Sequence, residues 1–223
     1  MTALLRYQAD LLVRSQRWLP PFLLYAVFLA VGVQGGQPLL DSLGYAAAAL
    51  LPVSAWLVRV CVTQEPPAAR TVVAAATGPA RAHLACVLVG LIAAMALGAA
   101  ATAVVVLVGD PVGADHQRRV PLLEASAAGL LAALTCAMLG TAVGALTAPP
   151  VVRSPGRAIP TLLLAALLAL VMAGSPAQAA VSGLVTGSRS ATISPPLLPL
   201  AAAAVLTAAA TAAACALTSR RSP

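Results

Sequence analysis

Residues 63–83, TQEPPAARTVVAAATGPARAH, break a chain that is otherwise built from long apolar runs. The stretch carries three prolines (Pro66, Pro67, Pro79), one acid (Glu65) and two cations (Arg70, Arg81). Between the prolines, residues 68–77 are small and predict two or three helical turns. Pro67 suits the first turn, where its missing N–H is not needed, and Gly78-Pro79 ends the run. Such a helix, held between two apolar segments on an arginine-bearing side, is either a docking element or a plain linker. The functional reading follows from taking it as a docking element.

Working outward, the 223 residues are 61% hydrophobic and 9% charged, far below the roughly 25% charged residues of soluble domains. The apolar blocks are about 20 residues long, the length that a helix needs to cross a bilayer core. They are separated by Pro, Gly and Arg clusters. This is the pattern of a single transmembrane domain over 1–223, with no room for a separate soluble one. The net charge of +7 does not point to nucleic acid. The arginines sit at the ends of apolar runs, where they set topology, and aromatics make up only 3%, too few for base stacking. The N-terminus lacks the uninterrupted apolar core of a cleavable signal. Cys61, Cys86, Cys136 and Cys215 lie in or beside apolar runs without CxxC spacing and read as small hydrophobes.

In chain order, residues 2–18 predict an amphipathic helix lying in the membrane interface. Leu4, Tyr7, Leu11 and Trp18 lie on its apolar face, and Arg6, Arg14 and Arg17 among the headgroups. Apolar spans are expected at 21–36, 42–62, 83–108, 122–146, 161–174 and 197–217. Residues 175–196 are too polar to span and too apolar for a plain loop. They predict one or two short helices dipping into the outer surface, where non-helical backbone must be covered or wet. Gly140 and Gly144 form a GxxxG pair. It serves close packing either within one chain or between two copies.

Alternating the connections places Arg6, Arg14, Arg17, Arg59, Arg70, Arg81, Arg153, Arg157, Arg220 and Arg221 on one side, against Arg118, Arg119 and Arg189 on the other. The arginine-rich side is expected to be cytoplasmic, with both termini there, in a plasma membrane.

Much chemistry is missing. The chain has no lysine and hence no GxxxxGK[ST] loop, so it is not expected to bind ATP by that route. His83 and His116 fall at opposite membrane faces, so no shared metal site is expected. No acid lies mid-span, which weighs against an ion-coupled carrier. The hydroxyls within spans (Ser54, Thr102, Thr135, Thr141, Thr207, Thr211) can each bond back to their own helix. The chain is not read as an enzyme by itself.

With this order in place, the chain resembles the membrane (permease) subunit of type-2 ATP-binding-cassette exporters. The likeness covers nearly the whole length as architecture. Its most specific piece is EPPAARTVVAAATGPARAHLA, which is similar to the corresponding loop of small actinobacterial members but lacks the Gly-Thr that many relatives carry after the acid. The resemblance implies an all-α polytopic membrane protein: six transmembrane helices, an N-terminal interfacial connecting helix, a cytoplasmic coupling helix at 68–77, and short re-entrant outer helices at 175–196. It implies a separate ATPase subunit as partner, which binds the ATP and Mg, so that this chain holds no cofactor. A second copy or a related permease and the lipid bilayer are the other implied partners. Glu65, Arg70, Thr71 and Arg81 become ATPase contacts or anchors of the coupling helix, while Arg6, Arg14, Arg17 and Trp18 belong to the interfacial helix. Ala-, Leu- and Val-rich spans suit an apolar or amphipathic substrate. The alternatives are a non-transporting assembly or accessory subunit and an ion-coupled secondary transporter; a membrane enzyme is the remaining one.

Overall fold

Proline and glycine punctuate the fold. The computed structural model describes residues 1–114, 118–149, 155–190 and 192–221. These form helices α1 (Thr2–Ser15), α2 (Leu19–Gly32), α3 (Leu39–Thr63), α4 (Pro67–Thr77), α5 (Pro79–Val108), α6 (Leu122–Thr147), α7 (Pro155–Val171), α8 (Pro176–Ser190) and α9 (Leu197–Arg221). Every helix after α1 starts at or directly beside a proline, where the fixed φ is pre-set and no hydrogen bond is lost. Among the described residues, extended pairing is confined to two isolated bridges, Pro38 with Asp110 and Val112 with Arg119. His116 and Arg153 lie outside the described residues.

Four helices, α3, α5, α6 and α9, are long and apolar enough to cross a membrane. The bent pair α7 and α8, turned by 50° at their junction, brings the number to five if it is counted as one broken span. The segment expected at 21–36 is shorter than the pattern suggested. Its helix α2 has 14 residues and stops at Gly32, because Val33 is extended (φ −116°, ψ 105°). At 1.5 Å per residue it covers about 21 Å of a core about 30 Å thick. Helix α5 starts at Pro79 rather than 83, and α7 starts at Pro155 rather than 161, carrying Pro160 inside. Residues 175–196, expected to form one or two short helices, contain the 15-residue α8.

Helices α3 and α6 are the inner pair. Two thirds (67%) of each apolar window is buried, against 22% for α5 and 28% for α9, so the latter two present outward faces. Glycines let α3 lie deep. A Cβ added at Gly90 of α5 would stand 2.8 Å from Val58 Cα, and one at Gly144 of α6 would stand 2.6 Å from the Ala55 carbonyl oxygen. One at Gly140 would run into Ser54 Oγ and the Leu51 carbonyl. Both glycines of the GxxxG pair are thus spent on α3 of the same chain. Without a hydrophobic drive between helices in lipid, this close backbone approach is the main source of attraction.

Polar pins fix the register. The Tyr25 hydroxyl donates to the Ala46 carbonyl at 3.0 Å, tying α2 to α3. Thr207 Oγ1 donates to the Met138 carbonyl at 2.8 Å, tying α9 to α6. Arg59 Nη1 donates to the Thr147 carbonyl at 3.0 Å, where α6 ends. The hydroxyls of Ser54, Thr102, Thr135 and Thr141 bond back to carbonyls of their own helices. At one end of the bundle, Leu39 N–H donates to Asp110 O and Ala114 N–H to Ser188 O. The opposite end gathers α1, the C-terminus of α3, α4 and the N-terminus of α5.

Replacing Gly140 or Gly144 by valine should lower the thermal unfolding midpoint in detergent, with an overpacking cost of about 1–3 kcal/mol. Gly183, where an added Cβ meets nothing within 4 Å, should accept alanine without loss. Equal midpoints for all three variants would contradict the glycine seam.

Candidate functional site

The end of the bundle bearing residues 63–83 is held by a polar cluster. Helix α3 runs out at Thr63, and its last carbonyls have no partner within the helix. Arginines supply the missing donors. Arg70 Nη2 lies 2.7 Å from the Val62 carbonyl and 3.4 Å from that of Glu65, and Arg17 Nη1 lies 3.5 Å from Thr63 O. A cation at the negative end of a helix is also favoured by the helix dipole.

Glu65 is turned inward and only 5% exposed. Its carboxylate accepts from the Tyr7 hydroxyl at 3.0 Å and from Gln8 Nε2 at 3.4 Å. Gln64 Nε2 in turn donates to the Gln8 carbonyl and to Gln8 Oε1, both at 3.3 Å. This network clasps α1 against the start of α4. Burial, together with the Glu65 carboxylate that accepts its proton, holds the Tyr7 phenol above its ordinary value. The fold favours the neutral, donating form. The contact is therefore fully present below about pH 10, the ordinary phenol value, and is lost only as pH climbs through the raised one.

Helix α1 also meets protein, along a face other than the one expected to lie in the membrane interface. Gln8 and Leu12 are buried, and Leu12, with Leu5 and Ala9 packed beside it, belongs to an apolar cluster that includes Cys61, Cys86 and Val87. These positions are spaced i, i+3, i+4, i+7, a helical stripe visible in the sequence once the polar Gln8 is allowed into it. Tyr7, read as part of the apolar face, is 41% exposed and anchored by its hydroxyl. Arg6, Arg14 and Arg17 are exposed, and Trp18 stacks edge-on with Phe22 at 5.6 Å between ring centres. Gln8 and Gln64, and the polar role of the Tyr7 hydroxyl, went unread in the sequence because nothing local announces a buried polar contact between segments so far apart. His83, expected at the interface, is buried in the first turns of α5, and its Nε2 has no hydrogen-bond partner among the described residues.

Helix α4 has no buried residue. Ala69, Arg70, Val73, Ala74 and Thr77 are half-covered and lie towards the bundle, while Ala68, Thr71, Val72, Ala75 and Ala76 are exposed. The exposed set is spaced i, i+3, i+4, i+7, i+8 and so forms one continuous face. Val72 at its centre is 69% exposed. The Thr71 hydroxyl is spent on the Ala68 carbonyl at 2.7 Å. Gly78, at φ +90°, turns the chain directly from α4 into α5 and donates its N–H to Ala74 O at 2.8 Å; a side chain there would be strained. Of the four residues singled out around this helix, Glu65 and Arg70 therefore face inward and bind backbone or α1, whereas Thr71 and Arg81 are exposed.

No family model, curated protein or solved structure matches this chain.

Glu65→Ala removes the acceptor of Tyr7 and leaves the buried Gln8 amide short of a partner, a loss of about 1–3 kcal/mol. Hydrogen exchange over residues 2–15 should accelerate in this variant, and in Tyr7→Phe to a smaller degree, but not in Arg14→Ala. Unchanged exchange in Glu65→Ala would show that α1 is held by packing alone.

Proposed function

We propose that this chain is the membrane subunit of a type-2 ATP-binding-cassette exporter, driven by a separate ATPase subunit. One observation carries the reading. Helix α4 is firmly clamped at its first turn by Arg70 and Glu65, yet it presents the uncharged face Ala68, Thr71, Val72, Ala75 and Ala76 to the exterior. A lone apolar helix face of this kind, offered on a rigid base, suits insertion into a groove of a partner protein.

Six crossings are part of the proposal: α2, α3, α5, α6, the bent pair α7–α8, and α9. Helix α2 is short and reaches the far end through the non-helical residues 33–38, whose Gln37 carbonyl accepts from Asp110 N–H. This count returns both termini to the end that carries α4. Arg6, Arg14, Arg17, Arg59, Arg70, Arg81 and Arg220 belong to that end, which by the positive-inside rule is cytoplasmic.

On this reading Glu65 and Arg70 are positioning residues, and Thr71 with Val72 makes the contact. ATP and Mg belong to the partner, and closure of its two ATPase subunits pushes on α4. Because α4 joins α5 through Gly78, α3 through Arg70, and α1 through Glu65, the push moves all three helices as one body. A second copy or a related permease completes the path for an apolar or amphipathic cargo. The accessory-subunit and ion-coupled alternatives do not call for a solvent-facing apolar helix clamped in this way.

Val72→Asp should weaken co-purification with the partner ATPase subunit by roughly tenfold or more, as expected when the centre of an interface gains a charge. Val72→Ile should keep it, and membrane insertion should be equal in both. In a background without the native cysteines, a cysteine at position 72 should react with an impermeant maleimide only after cells are opened. Labelling in intact cells, or full ATPase retention by Val72→Asp, would overturn the proposal.

A further inference from the structure

A groove of about 540 Å³ runs along the outward side of the bundle between α5, α6 and α9. Leu84, Leu88 and Leu91 of α5 form one wall, Met138 the floor, and Ala204 and Ala208 of α9 the other wall. Its hydroxyls are mostly spent. Thr141 donates to Ala137 O at 2.8 Å, and Thr207 to Ala203 O at 2.7 Å as well as to Met138 O. The interior therefore asks for hydrocarbon. At the α4 end, the Cys215 thiol meets the Ala80 carbonyl at 3.6 Å, so α9 and α5 touch there. Arg81 stands at this mouth, exposed, and its guanidinium has no partner among the described residues.

Length and charge together define the occupant. From Arg81 to Leu91 the lining covers ten residues of helix, about 15 Å. That is half of a hydrocarbon core about 30 Å thick, the depth of one leaflet. The groove is thus about one lipid tail deep, lined mostly by apolar side chains, with a cation at its α4 end. We propose that it holds an anionic phospholipid drawn from the leaflet on the α4 side, with an acyl chain along α5 and α9 and the phosphate on Arg81. An arginine offers a phosphate two parallel N–H donors, and in a zwitterionic headgroup the phosphate charge is already partly offset by the headgroup's own ammonium. The site does not depend on an ATPase partner, so it stands or falls separately from the exporter reading.

The test uses the full-length chain purified in mild detergent, titrated with phosphatidylglycerol or phosphatidylcholine, with bound lipids counted by native mass spectrometry. Phosphatidylglycerol should occupy one site roughly tenfold more tightly than phosphatidylcholine, the scale of one charge-assisted contact. Arg81→Glu should erase that preference, and Arg81→Lys should retain part of it. Ala208→Trp, at an exposed lining position, should expel the lipid with Arg81 untouched. Arg14→Glu, at the same end but outside the groove, should change nothing. Equal affinity for the two lipids, or full phosphatidylglycerol binding by Arg81→Glu, would overturn the site. So would an Ala208→Trp variant that alters the oligomeric state without altering lipid binding, which would make the groove a seam between copies.

Discussion

The fold depends on how closely α3 is gripped from two sides at Val58. Gly90 of α5 and Gly144 of α6 leave no space for even a Cβ against it, and Gly140 repeats the arrangement one turn away against Ser54 and Leu51. In lipid this is what holds helices together, since dispersion and short backbone contacts replace the hydrophobic effect. The other helices then arrange themselves around a fixed α3–α5–α6 core: α2 by one tyrosine hydroxyl, α9 by one threonine hydroxyl, and α8 against Gly44.

Because α3 is fixed, its C-terminal end is also fixed, and that is where the polar chemistry collects. Carbonyls left over at the helix end draw Arg70 and Arg17, and the adjoining Glu65 draws Tyr7 and Gln8. A charged side chain buried with its hydrogen bonds satisfied makes a rigid joint, whereas the same charge on the surface is worth little. The proposed role of α4 follows from this contrast, with a firm inner edge formed by Arg70 and an uncharged outer edge around Val72. The proposed lipid site is the outward counterpart, on helices whose apolar windows are mostly uncovered by protein.

The sequence alone determined much of this. It showed a helical chain of apolar segments, and the breaks stood at its prolines and glycines. It also placed a short helix between Pro67 and Gly78, and a cationic bias at alternate connections. These are local or periodic properties, written in runs of neighbouring residues. Even the stripe of α1 that packs inward, Leu5, Gln8, Ala9 and Leu12, has a legible period, hidden only by the assumption that a glutamine stays outside.

The tertiary structure decided what depends on distant partners. The glycines of the GxxxG pair were visible, but that they meet α3 of the same chain was not. Glu65 and Arg70 were visible as charges, but that they turn inward depends on Tyr7, Gln8 and Val62, which only folding brings near. The chain beyond α2 pairs with Asp110, more than seventy residues later, which no local pattern announces. Pattern along a chain reports which face a residue prefers; which atom it touches is set by the packing of segments that the pattern treats as independent.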